Sequence, residues 1–260
     1  MQISAPYGYG DITPLERHHK VLLPNLAPAG GGAVPAFAVA TNAMGLSFSE
    51  FAVASRDYPI VFGTVDGGAS YAPLAVLGLA DRQNLFVDAK GNWQQDTYVP
   101  AFVRRYPFCL SVVHVDGVAQ KDRVICIERS YLDASGVALY DGGGKATPRW
   151  AERERMLAGY ENDLELTAQM CAGLKKLDLF APFTLEVTVG AKSHFKLQGM
   201  VRIDEQKFIA LKPASHKALA AKGWAARVYA HLFSLANFAR LYDRSVAVAG
   251  QRKARERAGG

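Results

Sequence analysis

The chain has no uncharged apolar run approaching the roughly 18–20 residues that a bilayer-crossing helix needs, so a helical membrane protein is not expected. Its first twenty residues, MQISAPYGYGDITPLERHHK, contain no continuous apolar stretch of the kind a secretory signal requires. A cytoplasmic location is therefore expected. Cysteine is scarce. Cys109, Cys126 and Cys171 are odd in number, far apart and without a C-x-x-C pair, which argues against a disulfide framework and against a structural zinc site. Each sits in an apolar setting, so buried, inert thiols are expected. No G-x-S-x-G, Walker loop or G-x-G-x-x-G occurs. The glycine runs at 30–32 and 142–144 lack the strand-then-helix context of a phosphate loop. Balance of charge is nearly complete once the last ten residues, QRKARERAGG, are set aside. They hold four basic groups against one acidic one and so supply half of the net +6, which weakens any case for nucleic acid as partner.

What is present is the profile of an ordinary globular domain, half hydrophobic and about a fifth charged over 260 residues. Residues 1–35 are punctuated by Pro and Gly and are expected to form an N-terminal arm with one short strand near Lys20–Leu23. Residues 36–247 are expected to be a single domain and 248–260 a basic, disordered tail. Phe37 opens an expected strand, AFAVAT, and Ser49 is the expected N-cap of a helix to Asp57. Tyr58-Pro59 ends that helix, because the residue before Pro is pushed out of the α region. PIVFGT, PLAVLGL, LSVVHVD and RVICIE have the short apolar form of buried strands, and NLFVDAKGNW that of a hairpin with its turn at Ala89–Asn92. Thr147-Pro148 opens a long helix, with Thr as cap and Pro at the first helical position. Two alternating strands, Phe183–Val189 and Phe195–Ile203, are joined by GAKS. A short helix at Ala214–Lys222 and a longer one at Trp224–Arg244 close the domain. Strands and helices mix without regular βαβ order, so the expected class is α+β, with an antiparallel-rich sheet, a long helix after residue 147 and C-terminal helices.

PLERHHK at 14–20, EFAVASRDYPIVF at 50–62, LGLADRQNLFVDAKGNW at 77–93 and YVPAFVRRYPF at 98–108 together resemble the bacterial SapC family. LQGMVRIDEQKFIAL at 197–211 and GWAARVYAHLFSLANFARL at 223–241 extend the resemblance over nearly the whole chain. It implies a binding or accessory protein linked to an outer-membrane uptake system, often encoded near TonB-dependent receptors, or to a surface layer. Its partner would be a small molecule or a protein of that system. The frequent label of peptide transporter permease conflicts with the missing span. No agreed reaction or catalytic residue set comes with the resemblance.

Arg104 and Arg105 sit among Phe102, Tyr106, Pro107 and Phe108. A guanidinium beside aromatic faces suits a carboxylate, phosphate or sugar-bearing ligand, and Trp93 and Tyr98 would wall the same pocket. Core packing is the commoner fate of such aromatics, and adjacent arginines often divide into one internal and one solvated. A second candidate is His114-Val-Asp116, whose alternate residues share a strand face. With the distal His194 they would make the two-His-one-carboxylate set of a non-haem Fe(II) oxygenase. Asp116-Gly117 reads more simply as a hairpin turn. A third reading is a structural surface-layer component. Glu50 and Asp57 are expected to be solvated on a helix surface, and His231 to be a hydrogen-bonded core histidine.

Overall fold

The computed structural model describes residues 2–24, 26–115, 118–189 and 193–258. The architecture is α+β, and every strand pairing described is antiparallel. The strands are β1 (Gln2–Ile3), β2 (Ile12–Pro14), β3 (Lys20–Val21), β4 (Ala43–Gly45), β5 (Ile60–Val65), β6 (Ser70–Val76), β7 (Phe108–Val115), β8 (Val118–Glu128), β9 (Val137–Ala138), β10 (Phe180–Val189) and β11 (Ser193–Ile203). The helices are α1 (Ala36–Val39), α2 (Phe51–Ala54), α3 (Ala101–Arg104), α4 (Pro148–Lys176), α5 (Glu205–Ile209), α6 (Pro213–Ala221), α7 (Trp224–Ser234) and α8 (Asn237–Ala258).

A five-stranded sheet runs β10-β11-β5-β6-β4, a four-stranded sheet β1-β7-β8-β2, and β3 pairs with β9. The β5–β6 hairpin turns through Gly67 and Gly68, both at positive φ, a conformation that lacks steric cost only without a Cβ. The main core lies on the five-stranded sheet and includes Phe51, Tyr58, Ile60, Phe62 and Leu77. A smaller core of Phe108, Ile127, Leu139, Trp150 and Leu157 lies on the four-stranded sheet. Helix α4 joins the two. At 29 residues it is about 44 Å long. Its first half gives Trp150 and Leu157 to the small core, and its second half gives Met170, Cys171 and Leu174 to the large one.

Several local expectations differ from what tertiary contacts select. The strand expected from Phe37 is the single helical turn α1, with Pro35 at its N-cap. Only Ala43–Gly45, beyond that stretch, pairs as β4. Short apolar runs carry no period that separates one turn of helix from a strand. The cap is Ser47 rather than Ser49, and it opens a 3-10 turn, Phe48–Glu50, that leads into α2 and forms a capping box with Glu50. The hairpin expected at 84–93 is reduced to one bridge, Val87 to Trp93. Residues 1–35 supply β1, β2 and β3, which fill edge positions beside β7, β8 and β9. The helix expected over Trp224–Arg244 is two helices with a break at Leu235–Ala236, and α8 continues to Ala258. At the break, side chains bond to neighbouring elements. Ser234 Oγ accepts the Ile60 N–H at 2.9 Å, while Asn237 Nδ2 donates to the Ser55 carbonyl at 2.7 Å. The turn of GAKS at 190–192 lies outside the described residues.

Candidate functional site

The chain from Tyr98 to Tyr106 is held from below by two carboxylates. Glu50, expected at a helix surface, is only 2% exposed. Its Oε2 accepts the Ser47 N–H at 2.7 Å and the Ser47 hydroxyl at 2.8 Å. Its Oε1 accepts the Ala101 N–H at 2.7 Å and the Tyr98 hydroxyl at 2.9 Å. Four donors offset the cost of burying the charge. One of them, the Ala101 N–H, belongs to the first turn of α3, whose orphan donors need such a partner. Asp57 Oδ2 accepts the Tyr98 N–H at 2.9 Å, and the Tyr58 hydroxyl donates to the Tyr98 carbonyl. Trp93 is 1% exposed and donates through Nε1 to the Tyr58 hydroxyl at 3.2 Å. It stands as a post beneath this segment.

The two adjacent arginines part company. Arg105 turns inward and is 5% exposed. Its guanidinium lies 4.6 Å from the Phe102 ring centre and 5.0 Å from that of Tyr160. Its Nη1 is 3.6 Å from Glu161 Oε1, a carboxylate that Arg123 also grips. Burial pushes the Glu161 carboxyl up, and the two arginines oppose that shift. Arg104 turns the other way. Its Nε donates to the Val99 carbonyl and its Nη2 to the Tyr98 hydroxyl, both at 2.9 Å. Tyr98 thus donates a hydrogen bond to Glu50 and accepts one from Arg104.

Arg104 lines a cavity of about 370 Å³ with Arg149, Arg153, Glu152, Met156 and arm residues that include Pro24 and Pro28. Arg153 also crosses to the Arg104 carbonyl at 2.5 Å. Among the described residues no carboxylate lies within ion-pair distance of Arg104, Arg149 or Arg153. The Arg153 guanidinium is held below its usual range by burial first, then by the charges of Arg149 and Arg104. Arg149 lies in the first turn of α4, which has no acidic residue there. A helix N-terminus is already positive, so a cation in that turn is unfavourable and an anion favourable.

Tyr106 belongs to a neighbouring cavity of about 480 Å³, lined also by Leu22, Leu23, Val34, Val103 and Tyr131. Burial pushes both tyrosine hydroxyls up. The two cavities share Pro24 and Leu26 of the arm. Of the five residues singled out in sequence, Arg104 and Tyr106 therefore reach cavities, Tyr98 positions Arg104, and Trp93 and Arg105 are internal. Arg149 and Arg153 escaped notice. Their signal was available, as two arginines four apart in the opening turns of a helix whose first turn holds no acid. His114 lies on β7 and His194 on β11, in different sheets. Their side chains and the whole of Asp116 lie outside the described part of the structure. The three cysteines are free and buried, and burial pushes the Cys171 thiol up to about 12.

Among the described residues no helix is long and apolar enough to cross a membrane. A search of the curated proteins and of the solved structures finds no match to this chain. The family model of SapC matches residues 32–241, which takes in α3, α4 and every arginine of the cavity. The chain belongs to the SapC family.

Proposed function

We propose that this SapC-family chain is a binding protein whose ligand carries a carboxylate or phosphate group, seated between Arg104, Arg149 and Arg153. The observation that carries it is a cavity beside a helix N-terminus lined by Arg104, Arg149 and Arg153 together with Glu152, where among the described residues no carboxylate lies within ion-pair distance of any of the three arginines. Arg149 and Arg104 each repel the Arg153 charge more than Glu152 relieves it, and an anion in the cavity would lower that cost on binding. Arginine suits such a ligand because its planar fork bonds two oxygens at once. The ligand is one handled by an outer-membrane uptake or surface-layer system, in keeping with the family resemblance.

The test is a thermal-shift titration with inorganic phosphate and with citrate. Binding to the native state raises the midpoint as ln(1 + [L]/Kd). The shift is expected in the native chain, to shrink with added sodium chloride, and to vanish in Arg149→Ala and Arg153→Ala. Arg153→Lys should also fail to restore it, because a point charge lacks the fork. Arg105→Ala should instead lower the midpoint without ligand, since it empties the space between Phe102 and Tyr160 and leaves Glu161 with Arg123 alone. The absence of any shift from either anion, or shifts that survive in both alanine variants, would remove the basis for this function.

A further inference from the structure

The arm carries a group that the anion cavity does not use. Between β2 and β3 the chain makes a tight turn, closed by the His19 N–H donating to the Glu16 carbonyl at 3.1 Å. Both flanks are held. The Leu15 N–H donates to the Ile125 carbonyl at 2.9 Å, and Lys20 opens the β3 pairing with β9. On this turn one ligand atom from each of Glu16, His18 and His19 lies within 4.8 Å of the others. His18 Nδ1 is 3.3 Å from Glu16 Oε2. A tetrahedral ion with donors at 2.0–2.2 Å separates them by about 3.4 Å, so this pair already has the span of one edge of a coordination polyhedron.

We propose that Glu16, His18 and His19 form a binding site for a late first-row divalent cation such as Zn²⁺. Two imidazoles and one carboxylate are borderline donors that suit this class rather than Ca²⁺ or Mg²⁺, which prefer oxygen alone. The cation takes the position between His18 and Glu16 that a shared proton would occupy. His19 joins by releasing the hydrogen bond its Nδ1 accepts from the Glu16 N–H, a single exposed bond of 3.1 Å. The side chains of His18 and Glu16 are 73% and 63% exposed, so they can rotate to close the set. The one cationic residue inside the turn is drawn off, with the Arg17 guanidinium 5.7 Å from the Tyr140 ring centre. Three donors within four consecutive residues need little chain ordering to meet. Water would complete the coordination, which makes the ion exchangeable rather than an enclosed structural one. Because the turn leads into the arm residues that line both cavities, a bound ion would also restrain the arm.

The experiment is calorimetric titration of untagged, chelator-treated protein with Zn²⁺, alongside its thermal midpoint. One equivalent bound at micromolar concentration is expected, with a rise in midpoint. His18→Ala and Glu16→Gln should each abolish both effects, while leaving the metal-free midpoint unchanged because these side chains are exposed. A His114→Ala/His194→Ala double variant should bind as the native chain does. No binding by the native protein overturns the proposal. So does binding that persists in His18→Ala and Glu16→Gln, or that disappears only in the His114/His194 variant.

Discussion

Arg104 and Arg105 are one peptide bond apart and face opposite ways, one to a cavity and one to a buried carboxylate. The division comes from what each meets. Arg105 is enclosed by Phe102 and Tyr160 and answered by Glu161, whereas Arg104 is answered by uncharged groups, the Tyr98 hydroxyl and ring, the Val99 carbonyl and the Met156 sulfur. At the same scale, His231 shows what complete burial does. It is 0% exposed, its Nδ1 meets the Ile60 carbonyl at 2.7 Å and its Nε2 accepts the Ile203 N–H at 3.0 Å. These partners define the neutral ring with its proton on Nδ1. Burial pushes the imidazole down to about 4 from its usual 6.5, and the charge of Arg202 adds to the effect. Between those two values the unfolded chain binds a proton that the folded chain excludes. The contribution is complete above about pH 6.5 and is lost as pH falls toward about 4, with a full effect of roughly 3 kcal/mol. Urea unfolding at pH 7 and pH 4.5 should show that loss, and the ring should remain neutral by ¹⁵N NMR at pH 5. A protonated ring at pH 5 in the folded state would contradict the burial argument.

Among the helices, α4 sets the relation between the two sheets, and its contact with α7 depends on a missing side chain. A Cβ at Gly173 would lie 2.1 Å from Cζ3 of Trp224, a rigid ring with little room to yield. In an open helix, Gly→Ala gains up to about 1 kcal/mol. Gly159, in the same helix with nothing near its would-be Cβ, supplies the comparison. Gly159→Ala should stabilise by about that amount, while Gly173→Ala should destabilise by about 1–3 kcal/mol through overpacking. Urea midpoints of the pair decide the matter. If both variants are stabilised, α7 is free to slide off α4 and the contact contributes little. Helix α7 is joined to β5 and β11 by His231, whose ring donates to the Ile60 carbonyl of β5 and accepts the Ile203 N–H of β11.

For the whole molecule, the cores on the two sheets account for most of the large apolar residues, and α4 makes them one body of packed elements. No described helix meets the requirement for spanning a bilayer. The proposed function expects the chain in the supernatant of washed cell lysate without detergent. Release only by detergent would contradict the expected location and revive the permease label.

Local chemistry was legible where the pattern was long or the cap distinct. Thr147-Pro148 marks the start of α4, with the Thr147 hydroxyl accepting the Trp150 N–H. The alternation of Phe183, Leu185 and Val187 marks β10, and the apolar strips of β5, β7 and β8 were plain. Each of these signals depends on neighbours within a turn of helix or a few residues of strand, so the chain carries them on its own. The amino-acid order also determined the family and the α+β class. It did not determine that Glu50 is buried, that Arg105 is internal, or that Arg104 meets an arginine 49 positions later. Nor did it locate β1 and β2, which are too short to have a period and exist because β7 and β8 offer free edges. Those outcomes were decided by the tertiary structure, because burial and charge pairing depend on which distant surfaces the folded backbone brings together.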